Sequence, residues 1–209
     1  MTPAHPGQRP GDPIVIEAAA ELGPAAVLRI ARAGAVPVLS TELTDRVAAR
    51  RARVLAALAS DEPVYGVNTA MGALSEHRLS EAEQTRHQEA LMLARSAGGP
   101  PWLAEDETRA VLAVRLRTFL NNDSGVSAGL CRRLADMLAC QILPAVPRGG
   151  LGSAGEILAL AHLAAPISGG GMVLPDAGAG QDAVPAAPAL EAVGLAPLRL
   201  GPKEGVALI

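Results

Sequence analysis

The stretch Pro147-Arg-Gly-Gly-Leu-Gly-Ser-Ala-Gly-Glu-Ile-Leu-Ala-Leu-Ala-His162 joins a glycine-rich turn directly to a predicted helix. The glycines between positions 149 and 155 allow backbone angles that residues with a Cβ rarely adopt. From Glu156 onward, apolar residues recur at helical spacing until Pro166 ends the pattern. Glu156 lies in the first turn, where a carboxylate complements the helix dipole. A loop that leads into a helix N-terminus in this way is suited to hold a negative charge or a reactive group.

One interpretation of this turn is a dinucleotide-binding site. Gly150-x-Gly152-x-x-Gly155 fits the pattern G-x-G-x-x-G, and Asp176 follows at about the expected spacing. That fold needs a strand directly before the glycines, whereas residues 142–148 contain two prolines, which do not suit a central parallel strand. The preceding sequence is also helical throughout, without alternating strands and helices. This interpretation requires a parallel sheet beneath the turn.

The composition favours an all-α protein. The chain has 209 residues, enough for one domain or part of a larger one, and its 49% hydrophobic residues include a single Tyr, Trp and Phe. Sequence rich in Ala and Leu favours close-packed helices over a sandwich or barrel. The net charge of −3 does not indicate a nucleic-acid partner, and no metal site is predicted.

The two cysteines and the apolar segments indicate the cellular compartment of the protein. Cys131 and Cys140 are nine positions apart in one predicted helix, too far along it to form a disulfide, so we expect free thiols in a reducing compartment. The sequence has no signal-peptide pattern and no apolar run long enough to span a membrane. We therefore expect a cytoplasmic protein with no membrane partner.

Helical patterns fill most of the chain after a proline-rich start. Residues 1–13 are predicted to be a disordered lead-in, and residues 14–209 one unit. Helices are expected over Pro24–Ala33, from an N-cap at Thr44, from a capping box at Ser80 to about Arg95, over Glu105–Leu120, and from a cap at Ser127 to a stop at Pro144. Val36–Leu39 is expected to be an edge segment at most, residues 168–171 to open a hairpin-like excursion, and residues 175–188 to form a surface loop. The arginines of the second helix, at positions 46, 50, 51 and 53, are predicted to form a solvated face.

The loop Pro63-Val-Tyr-Gly-Val-Asn-Thr-Ala-Met-Gly72 holds the only tyrosine of the chain. Gly66, Asn68 and Gly72 are typical turn residues, so a loop between two helices is predicted. Tyr65 has two interpretations on these residues alone: a side chain that packs the turn, or a catalytic phenol.

Together, these two stretches resemble the histidine and phenylalanine ammonia-lyase family. Residues 147–162 are similar to the family signature G-S-x-G-A-S-G-D-L-x-P-L-x-H, and residues 65–72 to its catalytic loop Y-G-V-N-T-G-F-G, with Ala70 and Met71 as departures. Residues 124–126 resemble the end of its G-x-S-G-V turn, and residues 203–209 its K-E-G-L-A-L-(I/L) helix start. The resemblance covers almost everything after residue 14.

The resemblance implies a fold and partners. The fold would be a helical bundle of the ammonia-lyase or fumarase-like type with a small irregular N-terminal layer, and the chain would be an N-terminal portion of it. Family members continue beyond this region with an N-G-T turn, with long helices that tetramerise, and with active-site residues from neighbouring subunits. The expected partners are therefore further copies of the chain, or a chain that carries the C-terminal half.

The resemblance also implies which residues form an active site. In the family, the tyrosine that Tyr65 matches removes the β-proton of an amino-acid substrate; since a free phenol has a pKa near ~10, such a base needs nearby positive potential. Asn68, Arg95 and Ser124 are the candidate substrate-binding residues. Arg95 stands where the family motif Q-x-x-L-x-x-S-H-x-x-G, matched at Gln88, has a histidine. A guanidinium cannot shuttle a proton, but it can clamp a carboxylate; a surface arginine is the other interpretation.

The prosthetic-group position departs from the family. There, an Ala-Ser-Gly tripeptide cyclises and dehydrates to an electrophilic methylidene-imidazolone (MIO), whereas here the aligned residues are Ser153, Ala154 and Gly155. Ala154 has no hydroxyl to expel, and in a shifted triplet 152–154 the attacking amide would belong to a more hindered alanine. We therefore expect no cofactor. The resemblance leaves two hypotheses: a C–N lyase of the aromatic amino acid type that eliminates ammonia from an α-amino acid, a small-molecule substrate, acting with a complementary chain or in altered form, and a catalytically degenerate subunit or scaffold.

Overall fold

The computed structural model describes residues 11–60, 62–150, 155, 157–175 and 182–209. Its helices are α1 (Pro24–Ala33), α2 (Thr41–Leu58), α3 (Glu81–Arg95), α4 (Glu105–Leu120), α5 (Ala128–Ala139), α6 (Leu158–Ala164), α7 (Ala186–Ala192) and α8 (Glu204–Leu208). Its strands are β1 (Pro13–Ile16), β2 (Val36–Leu39), β3 (Met172–Val173) and β4 (Val184–Pro185). The predicted all-α class is confirmed.

Helices α4 and α5 form the centre of the core. Leu112 and Leu116 of α4 and Leu130 and Leu134 of α5 are at most 1% exposed. Helix α4 packs against both α1 and α5, and α2 also packs against α5. Burying side chains of this size contributes roughly 1.5–3 kcal/mol each. The apolar period in the sequence therefore predicts both the helices and the faces that they bury.

A small layer of two strands lies at the N-terminal end. Strands β1 and β2 pair in parallel, with Ile16 opposite Leu39, and β2 packs against α5. Gly34 ends α1 with a φ of 66°, a left-handed angle that suits glycine, and its carbonyl accepts a hydrogen bond from the Gly11 N–H. Among the described residues, regular structure begins at Pro13, one residue before the predicted start of the domain, and residues 1–10 lie outside the described residues.

Two of the three predicted helix caps are confirmed. Ser80 forms the capping box of α3 with Glu83, and the Ser127 hydroxyl accepts a hydrogen bond from Leu130 N at 3.1 Å at the start of α5. The prediction of Thr44 as the cap of α2 is wrong. Ser40 takes that role by accepting from Leu43 N at 3.2 Å, so the helix begins one turn earlier. Helix α5 also ends at Ala139, before Pro144 is reached.

The C-terminal part is more regular than predicted. Strands β3 and β4 pair antiparallel, as a hairpin-like excursion requires, but β4 and α7 occupy positions within and beyond the predicted loop 175–188. Pro188 is compatible with α7 because it lies in the first turn, where a backbone N–H has no partner within the helix. Ala186 and Leu190, one turn apart, are fully buried. Residues 176–181 of that predicted loop lie outside the described residues.

The segment before the glycine-rich turn contains no parallel strand. Pro144 bridges Val173, and Pro147 bridges Trp102, both antiparallel. Among the described residues, the only parallel pairing is that of β1 with β2. The dinucleotide interpretation therefore fails, and Asp176 lies outside the described residues. Within the described ranges, no helix is both long enough and apolar enough to cross a bilayer.

Candidate functional site

The Tyr65 loop, defined here as residues 62–72, is closed by one asparagine side chain. The Asn68 Oδ1 accepts a hydrogen bond from Val64 N at 2.7 Å, and its Nδ2 donates to the Glu62 carbonyl at 2.8 Å. Its own carbonyl accepts from Leu79 N at 3.0 Å, which joins the loop to the segment before α3. Both the oxygen and the nitrogen of the Asn68 side-chain amide are thus hydrogen-bonded to the backbone of the loop. That Asn68 binds substrate stays a prediction.

The Tyr65 ring lies at the protein surface. Its side chain is 55% exposed, and its Oη accepts a hydrogen bond from Gly72 N at 3.1 Å. Gly66 and Gly72 have φ angles of 68° and 63°, left-handed values that suit glycine in a turning loop. The loop therefore holds a phenol at the surface with its own O–H still available as a donor.

The Tyr65 loop is anchored to the protein through Gln88 of α3. This side chain is fully buried, and its Nε2 donates to the Gly66 carbonyl at 2.9 Å. Its Oε1 accepts a hydrogen bond from Val206 N of α8 at 3.2 Å. A Cβ on Gly66 would lie 2.9 Å from Val206 Cγ2, so the loop, α3 and α8 meet at one point.

A second buried polar cluster fixes the turn before α5. The Glu204 carboxylate accepts hydrogen bonds from Ser127 N at 2.8 Å and Gly201 N at 2.7 Å. Arg51 of α2 donates to the Gly125 carbonyl at 2.7 Å and is 8% exposed. Burial lowers the pKa of Arg51, and the negative charge of Glu204 partly offsets this. The predicted solvated face is therefore wrong at Arg51, because a carbonyl and a carboxylate across the helix interface accommodate its charge.

Ser124 lies in this turn, and its backbone carbonyl, not its hydroxyl, makes the hydrogen bond that the structure shows. The Lys203 Nζ donates to the Ser124 carbonyl at 2.5 Å. The Ser124 Oγ is buried and has no hydrogen-bond partner among the described residues. Burial, followed by the charge of Arg51, lowers the pKa of Lys203. A substrate-binding role for Ser124 stays a prediction.

The segment that enters the glycine-rich turn is anchored to the start of α4. Leu103 N donates to the Val146 carbonyl, and Arg148 N to the Pro101 carbonyl, both at 2.8 Å. The Arg148 guanidinium forms a bidentate ion pair with the Glu107 carboxylate. The same carboxylate caps α4 by accepting a hydrogen bond from Ala104 N at 2.7 Å. The Ala104 N–H first, and then Arg148, lower the pKa of Glu107. One carboxylate therefore joins the turn to the core helix.

The centre of the glycine-rich turn is only partly described. Ser153 and Ala154 lie outside the described residues, whereas Gly155 is exposed with a φ of 81° and open space where a Cβ would point. Helix α6 begins at Leu158, two residues after the predicted start at Glu156. The family resemblance implies that Tyr65 and this turn lie close together in one site, and that proximity stays a prediction.

The other end of α6 is well packed. His162 is 6% exposed, and its ring contacts that of Trp102 with centroids 6.1 Å apart.

Arg95 is the last residue of α3 and is half-buried. It follows Gln88 by seven residues, which places it on the same helix face about 10 Å further along the axis. Burial first, and then the charge of Arg95, lower the pKa of His87. Among the described residues, no hydrogen bond or ion pair joins Arg95 to Tyr65, so its role as a carboxylate clamp stays a prediction.

Sequence reasoning missed the residues that hold this site together. The sequence indicates Gln88 only as a motif match without a role and predicts Arg51 on a solvated face, although both are buried polar side chains. Lys203 and Glu204 lie in the recognised K-E-G segment, but no contact was predicted for them. A periodicity analysis cannot find such residues, because their partners are backbone groups far away in the sequence.

Comparison with known proteins identifies the family. The profile described as aromatic amino acid lyase matches residues 22–209. Histidine ammonia-lyase from Streptomyces coelicolor is 37% identical over 185 residues, covering 88% of this chain and 35% of that protein. Among solved structures, tyrosine aminomutase from Streptomyces globisporus has a TM-score of 0.82 at 32% identity, covering 94% of this chain and 36% of the other. Ergothionase from Treponema denticola, solved with desmethyl-ergothioneine sulfonic acid, has a TM-score of 0.84 at 26% identity, covering 95% and 39%.

The chain thus spans about a third of the length of the relatives that it matches. The match includes the Tyr65 loop, the glycine-rich turn and the K-E-G segment, each in the order that the family motifs require. The chain belongs to the aromatic amino acid lyase family.

Proposed function

We propose that this chain is the N-terminal part of a C–N lyase that eliminates ammonia from an α-amino acid. In the proposed enzyme, a complementary polypeptide supplies the part of the family fold beyond the matched region. The observation that carries the proposal is the Tyr65 loop. It retains the family's tyrosine, and Asn68 and Gln88 hold its backbone while the phenol stays 55% exposed.

Tyr65 acts in this proposal as the base that takes the β-proton of the substrate. Its Oη accepts from Gly72 N at 3.1 Å, which orients the phenol and leaves one face of the oxygen for substrate. Arg95, Asn68 and Ser124 are the proposed substrate-binding residues, and Arg95 would pair with a carboxylate. The relatives named above act on, or are solved with, different molecules, so the substrate is proposed only as a class.

The residues present do not fit the family's MIO group. Gly155 is a glycine with a left-handed φ of 81°, as a tight turn allows, but the preceding residue is Ala154. Forming the group requires loss of a hydroxyl from that residue, and a methyl side chain has none. We therefore propose that the chain forms no MIO of its own, and that any electrophile is supplied from outside it.

A partner is supported by an apolar groove beside α3. The groove has a volume of about 350 Å³, and its lining includes Met92, Leu93, Ala165, Pro197 and Leu198. Leu93 is 61% exposed. The relatives carry about two thirds of their length beyond the matched region, and helices from that part are the proposed cover. A cytoplasmic location belongs to the same proposal and is supported by the free thiols of Cys131 and Cys140.

The alternative is a degenerate subunit that keeps the fold and lacks the chemistry. Ala154 favours it, because a lyase of this family without an electrophile has a poor leaving group to expel. The two candidates differ in one measurable property, the release of ammonia by the assembled complex.

The test is co-expression with a candidate complementary polypeptide, followed by assay of the purified complex. Histidine and tyrosine, the amino acids in the relatives' names, are the first substrates, and ammonia release and the ultraviolet absorbance of an unsaturated acid are the readouts. We expect Tyr65→Phe to reduce the rate by about 100-fold or more, the typical contribution of a general base. His77→Gln, a change at an exposed side chain beside the loop, is the control and should retain the rate. A complex that assembles but releases no ammonia supports the degenerate subunit instead.

A further inference from the structure

Gln88 has a position that the proposed chemistry does not explain. It is a glutamine with 0% exposure inside a helix, where an unpaired amide would be costly, and both ends of its side chain are hydrogen-bonded to backbone groups. One partner, Gly66, directly follows the candidate base. The other, Val206, lies 140 residues later, in α8.

The packing around Gln88 is too close to allow the two partners to move independently. A Cβ on Gly205 would lie 2.6 Å from the Gln88 carbonyl oxygen and 2.8 Å from its Oε1, so α8 approaches α3 as closely as a glycine permits. A Cβ on Gly66 would lie 2.9 Å from Val206 Cγ2. The loop backbone and α8 therefore touch each other as well as Gln88.

The segment that contains α8 is held by contacts of its own. Lys203 has a φ of 72° and donates to the Ser124 carbonyl, while Glu204 accepts from Ser127 N. Arg115 of α4 donates to the Ala207 carbonyl at 2.6 Å. These contacts fix the segment against the core, and Gln88 transmits that position to the loop.

We propose that Gln88 is a positioning residue that couples the Tyr65 loop to the segment 201–209. The loop takes its described conformation only while that segment is docked. The relatives continue beyond this segment, so any event that displaces α8 would also release the loop. The relevance to catalysis rests on Tyr65 being the base, as proposed above, whereas the coupling itself does not.

The test uses the single tyrosine of the chain. Protein grown with 3-fluorotyrosine should give one fluorine resonance, because Tyr65 is the only site. Gln88→Leu removes both hydrogen bonds, and we expect this resonance to shift or broaden. We also expect amide exchange in residues 64–72 and in residues 203–209 to accelerate together, by about tenfold.

Gln84→Leu is the matched control. Gln84 lies one turn earlier on the same helix, and its Nε2 donates to the nearby Leu79 carbonyl at 3.1 Å, a hydrogen bond that does not involve α8. This variant should leave exchange in residues 203–209 unchanged. Circular dichroism on both variants establishes that α3 and the core remain folded.

Gln88→Glu tests whether the hydrogen bonds of this side chain, and not only its volume, hold the loop in place. A neutral carboxylic acid can donate to the Gly66 carbonyl and accept from Val206 N, while a carboxylate can only accept. Burial favours the neutral form, so the resonance should return towards the wild-type position as the pH falls.

The proposal is overturned if Gln88→Leu, while folded, leaves the fluorine resonance unchanged. It is also overturned if exchange accelerates in only one of the two segments. None of these readouts uses enzymatic activity, so the coupling and the proposed lyase function can fail separately.

Discussion

The two cysteines show how burial decides the chemistry of a single residue. Cys131 is fully buried in α5, and burial, followed by the charge of Glu204, raises the pKa of its thiol to about 12. Cys140 is half-buried at the end of the same helix, and burial followed by Asp136 raises its pKa as well. Neither environment is one that activates a thiolate, so neither cysteine is a candidate nucleophile.

Alkylation at pH 8 should therefore distinguish the two thiols. With a pKa of about 12, only about one Cys131 side chain in ten thousand is a thiolate at that pH. We expect iodoacetamide to modify Cys140 slowly and Cys131 hardly at all in the folded protein. Peptide mass spectrometry measures both, and unfolding in urea provides the fully reactive control. Equal labelling of the two thiols without urea would contradict the burial of Cys131.

The exchange of two neighbouring residues should restore the MIO precursor. Ser153→Ala combined with Ala154→Ser gives the tripeptide that the family cyclises, with Gly155 as the source of the attacking amide. We expect an intact mass lower by two water molecules in the double variant, and no such deficit in the natural chain. Ala154→Thr, which also supplies a hydroxyl but adds a methyl group, is a matched steric control. A deficit in the natural chain, located on the peptide with Ser153, would mean that the shifted triplet cyclises.

At the scale of elements, the sequence predicts where most helices lie and is weakest at their ends. Pro24–Ala33 and Glu105–Leu120 are found with the predicted bounds, because apolar period and end signals agree there. Ser40 and Thr44 are both chemically able to cap α2, and only the three-dimensional position of Leu43 N selects Ser40. The sequence does not predict helix α7, because Pro188 indicates a loop unless its place in the first turn of a helix is known.

The candidate site is likewise only partly predictable from local sequence patterns. Tyr65 and the glycine-rich turn are recognisable from local patterns. The pairing of Gln88 with Gly66 and Val206 joins residues 22 and 118 positions apart, which no local pattern contains. Buried polar contacts of this kind follow from the packing of whole helices.

The cap of α5 should have a measurable effect on stability. Ser127→Ala removes the acceptor for Leu130 N, and we expect the free energy of unfolding to fall by about 1 kcal/mol. Ser127→Gly should cost only a few tenths of a kcal/mol, because glycine is tolerated at this position. Ser60→Ala, at an exposed hydroxyl after α2, should stay within about 0.5 kcal/mol. Urea titration measures all three, and equal losses for the three variants would refute the capping role.

Helix α3 should make the protein sensitive to acid through His87. Burial and Arg95 lower the pKa of His87, so the unfolded state binds the proton more readily than the folded state. The stability that the neutral form contributes is complete above the unfolded pKa, near ~6.5, and is lost as the pH falls through the lower folded pKa. His87→Asn should flatten the pH dependence of the free energy of unfolding in that window. His77→Asn is the exposed control and should leave the slope as it is.

At the scale of the whole molecule, one core cluster includes helices from both halves of the chain and the segment before α8. Leu116 of α4, Leu163 of α6 and Leu200 all belong to it, and each is at most 2% exposed. Within the described residues, the apolar groove beside α3 is left open, with Leu93 at 61% exposure next to buried Met92.

This groove should make the purified chain associate, with itself or with a complementary polypeptide. The chain spans about a third of its relatives' length, and an apolar groove of about 350 Å³ beside an exposed leucine is surface that monomers tend to cover. Analytical ultracentrifugation over a range of concentrations is the measurement. We expect Leu93→Glu to weaken the association, because a charged carboxylate at this apolar contact would lose its hydration on association. Leu28→Glu, at a 52% exposed leucine of α1 that does not line the groove, should associate like the natural chain. A natural chain that stays monomeric at every concentration, and that also fails to bind its complementary polypeptide, would contradict the prediction. An equal effect of the two substitutions would instead assign the association to a different surface.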